Sequence, residues 1–135
     1  MMIDASALCA ILLRESDAAV LAETIAGAES PFTSPIAIYE TVVALMRVNA
    51  WSAEEAESAV RRLLKAASIE VCTISGDTSS IAAAAFDRFG KGRHPAALNL
   101  GDCFAYACAK ANDAPLLYKG DDFAKTDIRG ATDVR

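Results

Sequence analysis

The sequence predicts an α/β fold, a three-layer α/β/α sandwich with a mainly parallel central sheet. Three observations support this. Short apolar or β-branched runs alternate with longer stretches of helical periodicity, which implies parallel strands with helices on both faces. The chain has 135 residues, 53% of them hydrophobic, enough for one domain with a real core and too apolar for disorder. No linker, internal repeat or low-complexity segment interrupts it, so residues 1–135 read as a single domain.

The elements follow in order. Met1-Met2-Ile3 reads as a short central strand ending at Asp4, with a helix from Ser6 to about Arg14 that Asp4 could cap. Asp17 to Ala26 is a second helix, with Val20, Leu21 and Ile25 on one side and Asp17 as N-cap. Gly27-Ala28-Glu29-Ser30 breaks it, and Pro31-Phe32-Thr33 is a brief strand. Ser34-Pro35 starts the next helix, serine as N-cap and proline in the first turn. It runs to about Asn49 with Ile36, Tyr39, Val43 and Met46 as its expected apolar stripe. Glu40 lies beside that stripe. Either it pairs with Arg47 or another cation, or it is needed half-buried where it stands.

Trp51-Ser52-Ala53-Glu54-Glu55 is a capping box opening a helix to about Ala67, with Val60, Leu63 and Leu64 inward. Its Arg61, Arg62 and Lys65 form a basic stripe that reads first as a solvated face. Ile69 to Ile74 alternates and is β-branched, hence a strand. Asp77 is the expected cap of a helix to about Phe89. The loop Gly90-Lys91-Gly92-Arg93-His94-Pro95 then exposes three potential cations, Lys91, Arg93 and His94. They are candidate contacts to a phosphate backbone, or simply the polar side chains of a connector. The stretch from Leu98 to Lys110 reads, after Gly101, as a helix ending near Asn112 that is small and apolar on most sides, with no charge before Lys110 except Asp102. Asp102 has two readings: with Asn99 it completes a capping box, or it faces a metal ion that compensates its charge. Ala114 to Tyr118 is a strand, Lys119 to Phe123 the turn after it, and Thr132 to Arg135 a last edge strand.

Composition excludes several classes of function. No apolar run reaches membrane-spanning length, and the N-terminus carries neither a basic stretch nor a cleavage pattern, so a cytoplasmic protein without membrane association is expected. The four cysteines form no C-x-x-C pair and read as small buried side chains. A single histidine and the absence of G-x-S-x-G argue against a serine or cysteine hydrolase. Neither phosphate-loop pattern of nucleotide sites is present. The net charge of −5 makes a poor general binder of nucleic acid, unless part of that charge is matched by bound cations.

Asp4 and Asp121 both follow strands, at the edge where open α/β sheets bind ligands. Glu40 and Asp102 lie on helices that could face the same edge. Oxygen ligands without histidine or cysteine suit hard cations such as Mg²⁺ or Mn²⁺, and crowded carboxylates repel without them. Such a site activates water for phosphodiester cleavage.

At these residues the sequence resembles PIN-domain ribonucleases. Ile3-Asp4-Ala5-Ser6-Ala7-Leu8 is similar to the family's opening, and Tyr39-Glu40-Thr41 lies where it carries a second acid. Asn99 to Ala107 resembles its third acidic motif, and Leu116 to Ile128 its C-terminal one. Within the family, the VapC toxins of bacterial type II toxin–antitoxin systems are the most similar group. The resemblance implies a Mg²⁺-dependent endoribonuclease, Mn²⁺ being a possible substitute. Asp4, Glu40, Asp102 and a fourth acid are its catalytic and metal-binding residues. Asp121 is the first choice for that fourth acid and Asp122 the neighbour that could replace it. Ser6 would orient a ligand or phosphate, or is a helix-start hydroxyl; Asp127 reads as a cap or turn residue. The resemblance also implies an RNA substrate, a homodimer and a VapB-type antitoxin whose C-terminal segment covers the acidic groove. The apolar faces of the first four helices, with Trp51, would receive that segment. The alternative is a catalytically weak protein of the same fold that binds RNA or antitoxin without cutting.

Overall fold

Met2 and Ile3 are both fully buried, and they point to opposite faces of the sheet, as successive strand residues must. Met2 belongs to one core cluster and Ile3 to another. The same split recurs at Leu116 and Leu117. A sheet buried on both faces is what a three-layer α/β/α arrangement requires, and the computed structural model, which describes residues 1–131, has that architecture. The edge strand expected at 132–135 lies outside the described residues.

The elements are β1 (Met2–Ile3), α1 (Ala5–Leu12), α2 (Ala18–Ala26), β2 (Phe32–Thr33), α3 (Pro35–Asn49), α4 (Ala53–Ala66), β3 (Glu70–Val71), α5 (Gly76–Phe89), α6 (Leu100–Ala111) and β4 (Leu116–Leu117). A single 3₁₀ turn follows at Phe123–Lys125. The four strands are parallel in the order β3-β2-β1-β4. Met2 pairs with Phe32 on one side and Leu116 on the other. One core layer is built around α5 and α6, with Ala85, Phe89, Cys103 and Tyr106. The other is built from the first four helices, with Leu8, Leu21, Leu45 and Val60. Among the described residues no helix is long and apolar enough to cross a membrane.

Several expectations are corrected. Helix α1 begins at Ala5 and ends at Leu12, because Arg14 has turned left-handed (φ 55°). Asp17 stands at the N-cap of α2, but its side chain caps nothing and pairs instead with Lys119 Nζ at 3.2 Å. Helix α3 buries Ala37, Thr41 and Leu45, with Ile38, Val42 and Met46 packed beside them. Tyr39, expected inward, is 67% exposed. Two faces of α3 carry apolar residues, and periodicity alone could not choose between them. The cap of α5 is Ser75, in a capping box with Thr78, two residues earlier than the expected Asp77. Strand β3, expected over 69–74, is confined to Glu70–Val71, and both residues are exposed at one end of the strand order.

Candidate active site

Three carboxylates from three separate segments converge at the carboxyl ends of the central strands. Asp4 leaves β1 with its backbone N–H donating to the Leu117 carbonyl at 2.9 Å, so the ladder with β4 fixes its position. Its side chain caps α1: Oδ2 accepts from the Ser6 N–H at 3.0 Å and from the Ser6 hydroxyl at 2.5 Å. Asp4 is only 5% exposed. Burial pushes its pKa up, against the pull of the bonds from Ser6 and Ala5.

Glu40 is carried by α3, whose start is set by Ser34 accepting from the Ala37 N–H at 3.0 Å, with Pro35 in the first turn. Its carboxyl lies directly over Gly101, where a Cβ would collide with all three of its terminal atoms. The glycine is thus what lets α6 approach α3 closely enough for Glu40 and Asp102 to share a site. Burial is the main force raising the Glu40 pKa, to about 7, and the charges of Asp4 and Asp102 add to it. Among the described residues Arg47 makes no ion pair with it.

At Asp102 the capping reading is met, and the carboxyl is also half-buried. The capping box with Asn99 is present: Asp102 Oδ2 accepts from the Asn99 N–H at 3.0 Å, and the Asp102 N–H donates to Asn99 Oδ1 at 2.9 Å. Yet its pKa is raised to about 6 by burial, opposed by the Asn99 bond and reinforced by Asp4 and Asp122. It is Asp122, not Asp121, whose charge reaches Asp102. The thiol of Cys9, on α1, lies within reach of the same field. Burial raises its pKa first, and Asp4, Glu15 and Glu40 raise it further, so it stays neutral.

The structure brings together Asp4, Glu40, Asp102 and the charge of Asp122, and gives the other candidates different work. The single hydroxyl proton of Ser6 goes to Asp4, and its oxygen accepts from the Lys119 N–H at 3.0 Å. Arg93 pairs with Asp87 at 3.3 Å and lies over the Phe86 ring. His94 Nδ1 accepts from the Ala96 N–H at 3.0 Å, with its ring edge-on to Phe89. The Lys91 side chain is exposed. None of these three is among the groups that shift the acidic cluster. Sequence reasoning missed Gly101, whose only signal was a glycine in the first turn of a helix, where it costs stability. It also missed the backbone amide of Lys119, which no side-chain pattern reports.

The donor chemistry fits a hard divalent cation: oxygen ligands only, mutual repulsion, and no lysine or arginine ion pair to Asp4, Glu40 or Asp102 among the described residues. No three of these side chains stand in ready-made ligating geometry among the described residues. The physical reason is visible, since Asp4 is turned onto Ser6 and Asp102 onto the Asn99 amide.

Comparison with known proteins agrees with this geometry. The PIN domain family model matches residues 1–129. A Mycolicibacterium smegmatis ribonuclease VapC is 39% identical over 131 residues, 95% of this chain and 97% of the relative. A Rhizobium meliloti VapC ribonuclease is 38% identical over 138 residues, 93% of this chain and 97% of the relative. Among solved structures, Mycobacterium tuberculosis VapC20, described as a sarcin–ricin loop cleaving toxin, superposes with TM-score 0.73 at 15% identity, covering 94% of this chain and 95% of that one. A toxin–antitoxin complex from Klebsiella pneumoniae gives TM-score 0.70 at 20% identity, covering 93% and 92%. With both the family model and full-length relatives in agreement, the chain belongs to the PIN-domain family and, within it, to the VapC ribonucleases.

Proposed function

We propose that this chain is a divalent-metal-dependent endoribonuclease and the toxin of a type II toxin–antitoxin pair. The observation that carries the reading is the acidic cluster itself. Burial raises the pKa of three carboxylates from three distant segments, the charge of Asp4 raises Glu40 and Asp102 further, and among the described residues no protein cation is paired to any of the three. Asp4, Glu40, Asp102 and Asp122 would hold the cation, Mg²⁺ with Mn²⁺ as substitute. Asp122 takes the fourth place in preference to Asp121 because its charge acts on Asp102. Bound there, the cation would supply an activated water and offset charge on the leaving oxygen of the phosphodiester.

The chain's own residues do the rest. Both bonds from Ser6 fall on Oδ2 of Asp4, which orients that carboxylate. The capping bond from Asn99 falls on Oδ2 of Asp102 and leaves its other oxygen unused by that bond. The close approach at Gly101 holds Glu40 against the start of α6, so that the carboxylates keep fixed positions while RNA binds and leaves.

The test is purified protein on RNA with Mg²⁺ or Mn²⁺, with EDTA, and with Asp4→Asn and Asp102→Asn. Cutting that needs the metal and fails in both variants is the expected result. Cutting in EDTA, or full activity in either variant, overturns the mechanism. The same reading gives the chain an antitoxin partner, supported by its likeness to a protein of the Klebsiella complex, and a second copy of itself. Co-purification with the product of an adjacent short gene, and sedimentation of the purified chain, check these two.

A further inference from the structure

We propose that Ser6 is a positioning residue, the pin of a clasp that joins the two strand ends on which the acidic centre is built. The proposal rests on the ribonuclease reading of that centre. Ser6 sits in the first turn of α1, two residues after Asp4. Its hydroxyl donates to Asp4 Oδ2 at 2.5 Å. Its oxygen accepts at 3.0 Å from the backbone N–H of Lys119, a residue 113 positions away that directly follows the β4 region and opens the turn carrying Asp121 and Asp122. One side chain thereby connects the carboxylate after β1 to the loop after β4. With its proton and one lone pair already committed, it is not a free hydroxyl awaiting a phosphate.

The other end of the clasp is also fastened. Lys119 Nζ meets Glu15 Oε1 at 2.6 Å and Asp17 Oδ1 at 3.2 Å, in the connection between α1 and α2. The acidic turn is therefore held from two directions: its backbone to Ser6 and its first side chain to the end of the helix that Asp4 caps. Each exposed ion pair is weak alone. Together with the half-buried hydroxyl they limit how far Asp122 can drift from Asp4. A cation that needs both carboxylates gains affinity from that restriction, because the ordering is done before it binds.

Outer groups that orient metal-binding side chains are typically worth about 10–100-fold in metal affinity or activity. The experiment compares wild type, Ser6→Ala, Ser6→Thr and Lys119→Ala. It measures Mn²⁺ affinity by calorimetry without RNA, kcat and KM on RNA, and Tm. In Ser6→Ala, Mn²⁺ affinity and kcat should each fall by about 10-fold or more while KM for RNA stays within about two-fold. Ser6→Thr keeps a hydroxyl and should restore both. Lys119→Ala keeps the amide bond to Ser6 and loses only the ion pairs, so a smaller loss of Mn²⁺ affinity, about three-fold, is expected. That variant also serves if Ser6→Ala fails to fold. Unchanged Mn²⁺ affinity in Ser6→Ala, or in Lys119→Ala if that alone is folded, overturns the clasp. A rise in KM with kcat intact overturns it too, and returns Ser6 to substrate contact. Wild-type protein that neither binds Mn²⁺ nor cuts RNA overturns the ribonuclease reading beneath it, which is a different failure from an active wild type with an indifferent clasp.

Discussion

Helix α6 touches two aspartates with opposite fates. Asp102, at its start, is pushed up to about 6 by burial and by the neighbouring charges of Asp4 and Asp122. Asp127, packed against its last turns, is held below the usual range. It accepts the Tyr106 hydroxyl at 2.6 Å and faces Lys110 and Arg88 at 3.5 Å each. The Tyr106 phenol is correspondingly pushed up to about 12, by burial first and then by that bond and charge. Around Asp127 the protein supplies the positive charge itself, and the group is structural. Around Asp102, no lysine or arginine among the described residues forms an ion pair with it, with Asp4 or with Glu40. The difference lies in what neutralises each acid: Asp127 has the protein's own cations beside it, and Asp102 has other carboxylates.

The largest predicted effect tests that separation. Asp102→Asn and Glu40→Gln should each reduce metal-dependent RNA cleavage by about 10³-fold, while Asp127→Asn leaves it nearly unchanged and lowers Tm. Cleavage rates and melting curves of the three variants check this, and a reversed pattern would break the distinction. Next in size is Gly101→Ala. Alanine is the better helix former by about 1 kcal/mol, so propensity alone predicts a more stable protein. The added Cβ would instead drive the Glu40 carboxyl aside. Displacing a catalytic group by an ångström can cost about 10²-fold in rate, and that is the expected loss, with Tm little changed.

Much of this contrast was legible in the sequence, and the exceptions share a cause. The alternation of strands and helices, the Ser34-Pro35 start, the Ser52–Glu55 box and the Asn99–Asp102 box are local patterns, and the structure contains each. Asp102 was read as cap or site, and the structure contains the cap and places the same carboxyl where the charge of Asp4 reaches it. The position of Tyr39 was missed because α3 has apolar residues on more than one face, and only packing decides which is inside. The pull of Asp122 on Asp102, the place of Gly101 under Glu40 and the use of the Lys119 amide depend on residues brought together by the fold. None of these is encoded in the spacing along the chain.

A smaller effect should appear in how stability depends on pH. The folded Glu40 binds its proton more tightly than the unfolded chain does, about 7 against 4.5. Its contribution is therefore fully present below 4.5 and is lost as pH rises to about 7. Asp102 behaves alike between 3.8 and about 6. Asp127 runs the other way, since its folded pKa lies below 3.8: its contribution is present above that value and lost as pH falls through the folded one. In EDTA, Tm should fall between pH 4.5 and 7, and Glu40→Gln should remove most of the fall. Millimolar Mg²⁺ should flatten it, because a ligand that binds only the folded state stabilises it most where the carboxylates are ionised. A Tm that is flat in EDTA, or indifferent to Mg²⁺ at pH 7, would dissolve the electrostatic contrast between the two ends of α6.

The smallest effect is the sharpest about place. Tyr106 lies one turn after Asp102 on α6 and close to it in the fold, yet its hydroxyl serves Asp127. Tyr106→Phe keeps the ring against Phe89 and removes only that hydrogen bond. Asp127 retains Arg88 and Lys110, so no carboxylate is orphaned, and the loss should be about 1 kcal/mol. For a chain of this length that is roughly 3–5 °C in Tm. RNA cleavage and Mn²⁺ affinity should not change, because the bond belongs to the neutralised end of the helix. If cleavage fell while Tm held, the hydroxyl would be acting on the acidic centre through α6, and the two ends would form one site.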